Sequence, residues 1–166
     1  MQTAQMQQSI FGHFAILFLI DLNILTSYNI CIKYIRRYND MHSTVQTLNA
    51  PQAIGPYSQA IICNNMVYVS GQIPINPATG LLEGDNIATQ TEQVMKNLAA
   101  VLTAAGTSFE HVVKTTCYLK NMKDFQGFNE VYGKYAVSLP ARACFAVVDL
   151  PKNSLIEVEC IAEVKE

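Results

Sequence analysis

From Met41 onward, apolar and polar positions alternate in short runs separated by proline, glycine and asparagine, and two longer stretches switch to a helical period. Thr44 to Leu48 is a short β-branched run, and Asn49 to Pro56 reads as a loop from its proline and glycine content. Tyr57 to Cys63 and Met66 to Ser70 are apolar strand runs split by Asn64-Asn65, a pair that tolerates positive φ and predicts a tight hairpin. Gly71 to Gly84 is loop. Asn86 then caps a helix whose apolar stripe is Ile87, Val94, Met95, Leu98, Val101, Leu102 and Ala105, with Gly106 at its end. Val112 to Leu119 predicts a strand, and Asp124 is the expected cap of a second helix with the stripe Phe125, Phe128, Val131, Tyr132 and Tyr135. Two further strands, Ala143 to Val148 and Leu155 to Val164, are joined by a turn at Leu150 to Asn153. The order β-β-β-α-β-α-β-β predicts an α+β domain, a mixed sheet with two helices on one face. Runs such as Met66 to Val69 and Ala143 to Val148 are apolar on both faces, so the second face needs a cover; another copy of the same sheet, in a closed homo-oligomer, is the expected one.

Residues 1–40 have a different composition. Ile10 to Ile20 is strongly apolar, Asp21 and Asn23 interrupt, and Lys33, Arg36 and Arg37 follow a second apolar stretch that ends at Ile32. A secretory signal would want basic residues before the apolar run. A membrane anchor over residues 10–32 would carry Asp21 at mid-span, which is costly. The preferred reading is an N-terminal extension outside the fold, with a single domain spanning residues 41–166.

Within that domain eight Lys and Arg stand against eleven Asp and Glu, and the basic residues do not cluster, which disfavours a nucleic-acid partner. The five cysteines, at 31, 63, 117, 144 and 160, are odd in number and sit in apolar runs, a pattern of reduced thiols in a cytoplasmic setting. Three histidines without ligand spacing predict no metal site. After Met41 the one arginine is Arg142, in Leu139-Pro140-Ala141-Arg142-Ala143-Cys144, against seven lysines. A guanidinium fork suits a carboxylate better than an ammonium does. Fifteen residues on, Ile156-Glu157-Val158-Glu159 places two carboxylates on one strand face. The plainer reading is an Arg142–Glu157 ion pair; the functional one is an anion grip beside a proton-handling acid.

The runs Gly55-Pro56-Tyr57-Ser58-Gln59-Ala60, Ser70-Gly71-Gln72-Ile73-Pro74, Val113-Lys114-Thr115-Thr116, Pro140-Ala141-Arg142 and Ile156-Glu157-Val158-Glu159 resemble those of the reactive intermediate deaminase A family, also called YjgF, over residues 43–165. The resemblance implies a chorismate-mutase-like fold, a homotrimer with clefts between subunits, and cofactor-free hydrolysis of 2-imino and 2-enamino acids released by pyridoxal-phosphate enzymes. It also implies roles: Arg142 binds the substrate carboxylate, Glu157 works through water, Tyr57 and Ser70 are polar groups of the catalytic set, and Asn129, Cys144 and Gly71 line the substrate. Without the resemblance Tyr57 reads as a packed loop tyrosine, Ser70 as a strand end, Asn129 as a solvent-facing helix residue, and Cys144 as a small buried apolar group. Two rival functions follow: a ribonuclease or translation inhibitor, disfavoured by the acidic balance, and a non-catalytic trimer binding a small carboxylate or a partner protein, in which Glu157 would be dispensable. Cytoplasmic placement is expected, with mitochondrial placement and membrane attachment through residues 10–32 as the alternatives.

Overall fold

The computed structural model describes residues 42–164, so the expectations for residues 1–40 fall outside the described residues. Six strands, β1 (Ser43–Val45), β2 (Ala60–Cys63), β3 (Met66–Gln72), β4 (Val112–Leu119), β5 (Ala141–Ala146) and β6 (Ile156–Glu163), alternate with two helices, α1 (Ile87–Ala104) and α2 (Phe125–Tyr135). They form one sheet in the order β1-β2-β3-β6-β4-β5, antiparallel except where β5 runs parallel to β4. A parallel neighbour needs a crossover, and the segment containing α2 supplies it. The α+β architecture and the order of elements are as the sequence pattern predicts. No helix among the described residues is long and apolar enough to cross a membrane.

The element boundaries show where local chemistry overrides pattern. β1 ends at Val45 because the Thr47 N–H turns to the side-chain oxygen of Gln59, at 2.7 Å, instead of a neighbouring strand. Tyr57 lies before β2 and not in it, since its N–H bonds to Gly55 O at 2.9 Å in a tight turn. β3 continues through Ser70 and Gly71 to Gln72, and the register shifts between Val69 and Gln72 as at a β-bulge. β5 starts at Ala141, two residues earlier than expected, so Arg142 is inside the strand. Asp124 makes no side-chain cap; Asn121 instead accepts from Lys123 N–H at 2.9 Å and starts the turn that leads into α2. Asn64 and Asn65, with φ of 50° and 61°, make the β2–β3 hairpin that their chemistry predicts. Asn86 caps α1 as expected, accepting from Thr89 N–H at 2.9 Å.

The core lies between the two helices and one face of the sheet. Val94, Met95, Leu98, Val101 and Leu102 of α1, with Phe128 and Tyr132 of α2, pack on Val67, Cys117, Leu119, Ile156, Val158 and Ala162. The opposite face has no cover among the described residues: Tyr68 is 48% exposed and Phe145 45%, while Ile61, Tyr118 and Ile161 are half-buried. Such an apolar face on a small sheet is a surface that water leaves at a gain.

Buried amides fasten the loops to this core. Asn97 of α1, 1% exposed, donates to Ile73 O at 3.1 Å and Ile75 O at 2.9 Å, holding the chain that leaves β3. Gln59 does the same for residues 47–51, donating to Pro51 O at 2.8 Å as well as accepting from Thr47. Replacing Asn97 by Ala strands two carbonyls in a dry site and should cost about 2–4 kcal/mol in urea unfolding. Lys96→Ala, one residue away, removes an exposed pair with Glu92 at 3.6 Å and should change stability by no more than about 0.5 kcal/mol.

Candidate active site

Glu157 owes its position to the alternation of β6. Ile156, Val158, Cys160 and Ala162 face the helices, so Glu157 and Glu159 face the uncovered side. The Glu157 carboxyl lies over Gly71 so closely that a Cβ there would sit 1.8 Å from its Oε1. Glycine at 71 is therefore a matter of space. The bulge at Ser70 and Gly71 brings both residues to this side, and Ser70 is tied down by its N–H to Gln59 O at 3.0 Å and its hydroxyl to Ser58 O at 2.7 Å. Tyr57, half exposed, shares a small recess with Ile54, Gly71, Gln72 and Ile73. Gly71 thus borders both the recess of Tyr57 and the Glu157 carboxyl, with Ser70 beside it in the chain. Burial pushes the Glu157 carboxyl above its ordinary range, and the charge of Glu159 pushes in the same direction.

Arg142 is built from the other side of the sheet. It pairs with Thr115 across β4 and β5, and Thr115 is buried beneath the helices, its hydroxyl 2.8 Å from the Tyr132 hydroxyl. Along α2, Phe125, Phe128, Asn129 and Tyr132 recur at spacings of three and four and present one face. The guanidinium rests on that face, 4.9 Å from the Tyr132 ring centre and 5.6 Å and 5.7 Å from those of Phe125 and Phe128. Its Nη1 donates to Asn129 Oδ1 at 2.7 Å. Arg142 nonetheless stays exposed, and one anchoring bond leaves most of its N–H donors for an anion. Cys144, two residues on and on the same side, has its thiol raised by burial and partly drawn back by Arg142. Asn129 is thus an anchor for the arginine, not the free helix residue that its mid-helix position suggests.

The two clusters do not meet within one chain. Arg142 is opposite Thr115 and Glu157 opposite Tyr118, three residues apart along β4, and an odd spacing sends side chains to opposite faces. Within one chain there is no Arg142–Glu157 ion pair: among the described residues the one ion pair is that of Lys96 with Glu92. The apolar stripe that the sequence predicts for α2 also cradles Arg142, a role that the sequence pattern does not assign it; the spacing of the stripe against Asn129 is the signal. The pattern also leaves Tyr118, the residue opposite Glu157, without a role. The described residues hold no group of three or more His, Cys, Asp or Glu that could hold a metal ion.

Comparison with known proteins adds independent findings. The sequence model of the family described as Endoribonuclease L-PSP matches residues 47–164. The Lactococcus lactis protein AldR, which carries a regulator's name, is 56% identical over 122 residues, covering 73% of this chain and 97% of that protein. The 2-iminobutanoate/2-iminopropanoate deaminase of Homo sapiens is 45% identical over 119 residues, 71% of this chain and 87% of that protein. Among solved structures, E. coli TdcF with bound serine superposes with a TM-score of 0.70 at 36% identity, covering 74% of this chain and 99% of that one.

The raised Glu157 makes stability depend on pH with a definite sign. Its folded-state carboxyl holds its proton more tightly than the unfolded one, so its contribution is fully present below the ordinary carboxylate range and is lost as pH rises through the raised value. Glu157→Gln should therefore melt at a higher temperature than wild type at pH 8, and the difference should shrink as pH falls toward 4 in thermal scans of the two proteins. Gly71→Ala should keep the fold and displace the Glu157 side chain, which a crystal structure of the variant would read directly.

Proposed function

The chain belongs to the Endoribonuclease L-PSP family, also called YjgF and reactive intermediate deaminase A, and on that premise we propose that it hydrolyses small 2-enamino and 2-imino acids to 2-keto acids and ammonia. The substrates of this reading are 2-aminoacrylate, 2-iminopropanoate and 2-iminobutanoate, as released by pyridoxal-phosphate enzymes such as threonine and serine dehydratases. The observation that carries it is the pair of half-sites: an arginine held with its donors open, and a half-buried carboxyl over Gly71 that burial pushes above its ordinary range. The serine bound in the E. coli relative is a small amino acid with a carboxylate, in keeping with a guanidinium grip.

The chemistry needs little more. An enamine takes a proton on carbon to become an imine, water adds at the imine carbon, and ammonia leaves with a further proton. Arg142 fixes the substrate by its carboxylate, and Glu157, directly or through a water, gives and takes the protons. Imines hydrolyse unaided, so the required acceleration is modest. Because the half-sites lie on opposite faces, the working cleft in this reading forms between subunits of a homotrimer, where β5 at the sheet edge of one chain meets the uncovered face of the next. That packing would also bury Tyr68 and Phe145.

The test is a coupled assay in which a threonine dehydratase generates the imine and 2-keto acid release is followed. Wild type should accelerate release; Arg142→Ala should lose about a hundredfold in kcat/KM, and Glu157→Gln should lose kcat by a comparable factor. If Glu157→Gln accelerates as well as wild type, the protein is a carboxylate-binding trimer without this catalysis. Mixing inactive Arg142→Ala and Glu157→Gln chains, unfolded and refolded together in equal amounts, should restore activity at about a quarter of the clefts, since each would take its two groups from different chains. No restoration would place both groups in one subunit and overturn the interface site.

A further inference from the structure

The helix face of the sheet holds two thiols side by side that the reaction above does not require. Cys117 of β4 and Cys144 of β5 are direct partners across the parallel pair, two residues along from the partners Thr115 and Arg142. Cys117 is fully buried in the core; Cys144 is half-buried and packs against it. Side chains facing each other on neighbouring strands are about 4.8 Å apart, within the range of about 4.4–6.8 Å between the Cα atoms of a disulfide. The other described cysteines are placed less well. Cys160 of β6 is opposite Thr115, which makes it diagonal to Cys117 at about 7–8 Å. Cys63 is on β2, three strands from β4 in the sheet order.

We infer that Cys117 and Cys144 form a redox-active dithiol, which a low-molecular-weight disulfide closes into an intrachain bond and a thiol reductant reopens. The order of events follows from burial. Cys144 is the thiol that a reagent can reach: its sulfur attacks one sulfur of the small disulfide, and the departing thiolate takes up the proton that Cys144 loses. Cys117 then gives its proton to water and attacks the Cys144 sulfur, expelling the second small thiol. Two protein thiols are oxidised and one disulfide is reduced to two thiols. Burial, and next the neighbouring Cys144, push the Cys117 thiol up to about 12, so the second step is slow and is helped by proximity alone. Bridged Cβ atoms lie about 3.5–4.5 Å apart, so the strands must close by about half an ångström. β5 can make that move because it is the edge strand, paired with β4 alone. The bond fastens the strand that carries Arg142, and the inference does not depend on the deaminase reading.

The wild-type protein is enough for the test. Full-length, folded, reduced protein is held overnight with 2-hydroxyethyl disulfide, and remaining thiols are blocked with iodoacetamide before and during unfolding. The tryptic digest is then read by mass spectrometry without reduction. Trypsin puts Cys117, Cys144 and Cys160 on separate peptides, 115–120, 143–152 and 153–165. The expected result is peptide 115–120 linked to 143–152 in a band of single-chain size, with the loss of both thiols reversed by dithiothreitol. Cys117→Val should stop with one mercaptoethanol on Cys144, and Cys144→Ser should leave Cys117 unmodified, because the buried thiol has no access of its own. A wild type that keeps both thiols, or stops at mercaptoethanol on Cys144, overturns the inference. So does a link from 115–120 to 153–165, or one that joins two chains.

Discussion

Two helices can cover one face of a six-stranded sheet, and most of what is distinctive in this chain follows from that limit. The alternation of strand side chains sends every second residue of β4 and β6 under α1 and α2, where Cys117, Leu119, Ile156, Val158 and Ala162 are fully packed. The residues between them have nowhere to go but the other side. Thr116, Tyr118, Glu157 and Glu159 are therefore on an open face by the same rule that builds the core, and no separate device is needed to present them. That face is too apolar around its carboxylates to be a settled solvent surface, with Tyr68 and Phe145 nearly half exposed.

Precision at the two half-sites comes from different sources. The carboxyl half-site is shaped by backbone: the bulge at Ser70 and Gly71, the missing Cβ at 71, and the buried amides that fasten the neighbouring loops. Gln90 extends this to β6, accepting from Leu155 N–H at 2.8 Å while donating to Gly84 O at 3.1 Å, so the strand that carries Glu157 starts from a fixed point. The arginine half-site is shaped by side chains. Three rings limit where the guanidinium can lie, and Asn129 sets its rotation. A cation held by ring faces keeps its edge N–H groups available, which a carboxylate counter-ion in the same place would not allow.

Fold class and element order were legible because periods of two and of 3.6 leave distinct marks, and because Asn64-Asn65, Asn86 and Gly106 act through local backbone chemistry. The ends of elements were not. β3 runs on through Gly71 because a bulge absorbs the extra residue, and Asp124 yields the capping role to Asn121 because the chain enters α2 through a 3-10 turn. Of the candidate site, identities were legible through motif runs and not through physics alone: only family likeness distinguishes Glu157 from Glu159. What the sequence could not show is that Arg142 and Glu157, fifteen residues apart, point away from each other. That depends on both strands pairing with β4 at positions of opposite parity, a fact of register that neither strand contains by itself.

Opposite parity also bears on why an arginine and a carboxylate of one small domain can both stay reactive. Placed on one face at this separation in sequence, they would be free to neutralise each other, and a guanidinium in a bidentate pair has no donors left for substrate while its partner is pinned as a carboxylate. A sheet between them prevents that collapse in the isolated chain. Each group is then free to keep the character its chemistry needs, the guanidinium with open donors and the acid with its affinity for a proton raised by burial. If a second chain supplies the missing half, substrate is the first charged group to come between them, and its carboxylate engages an arginine that no protein acid of its own chain occupies.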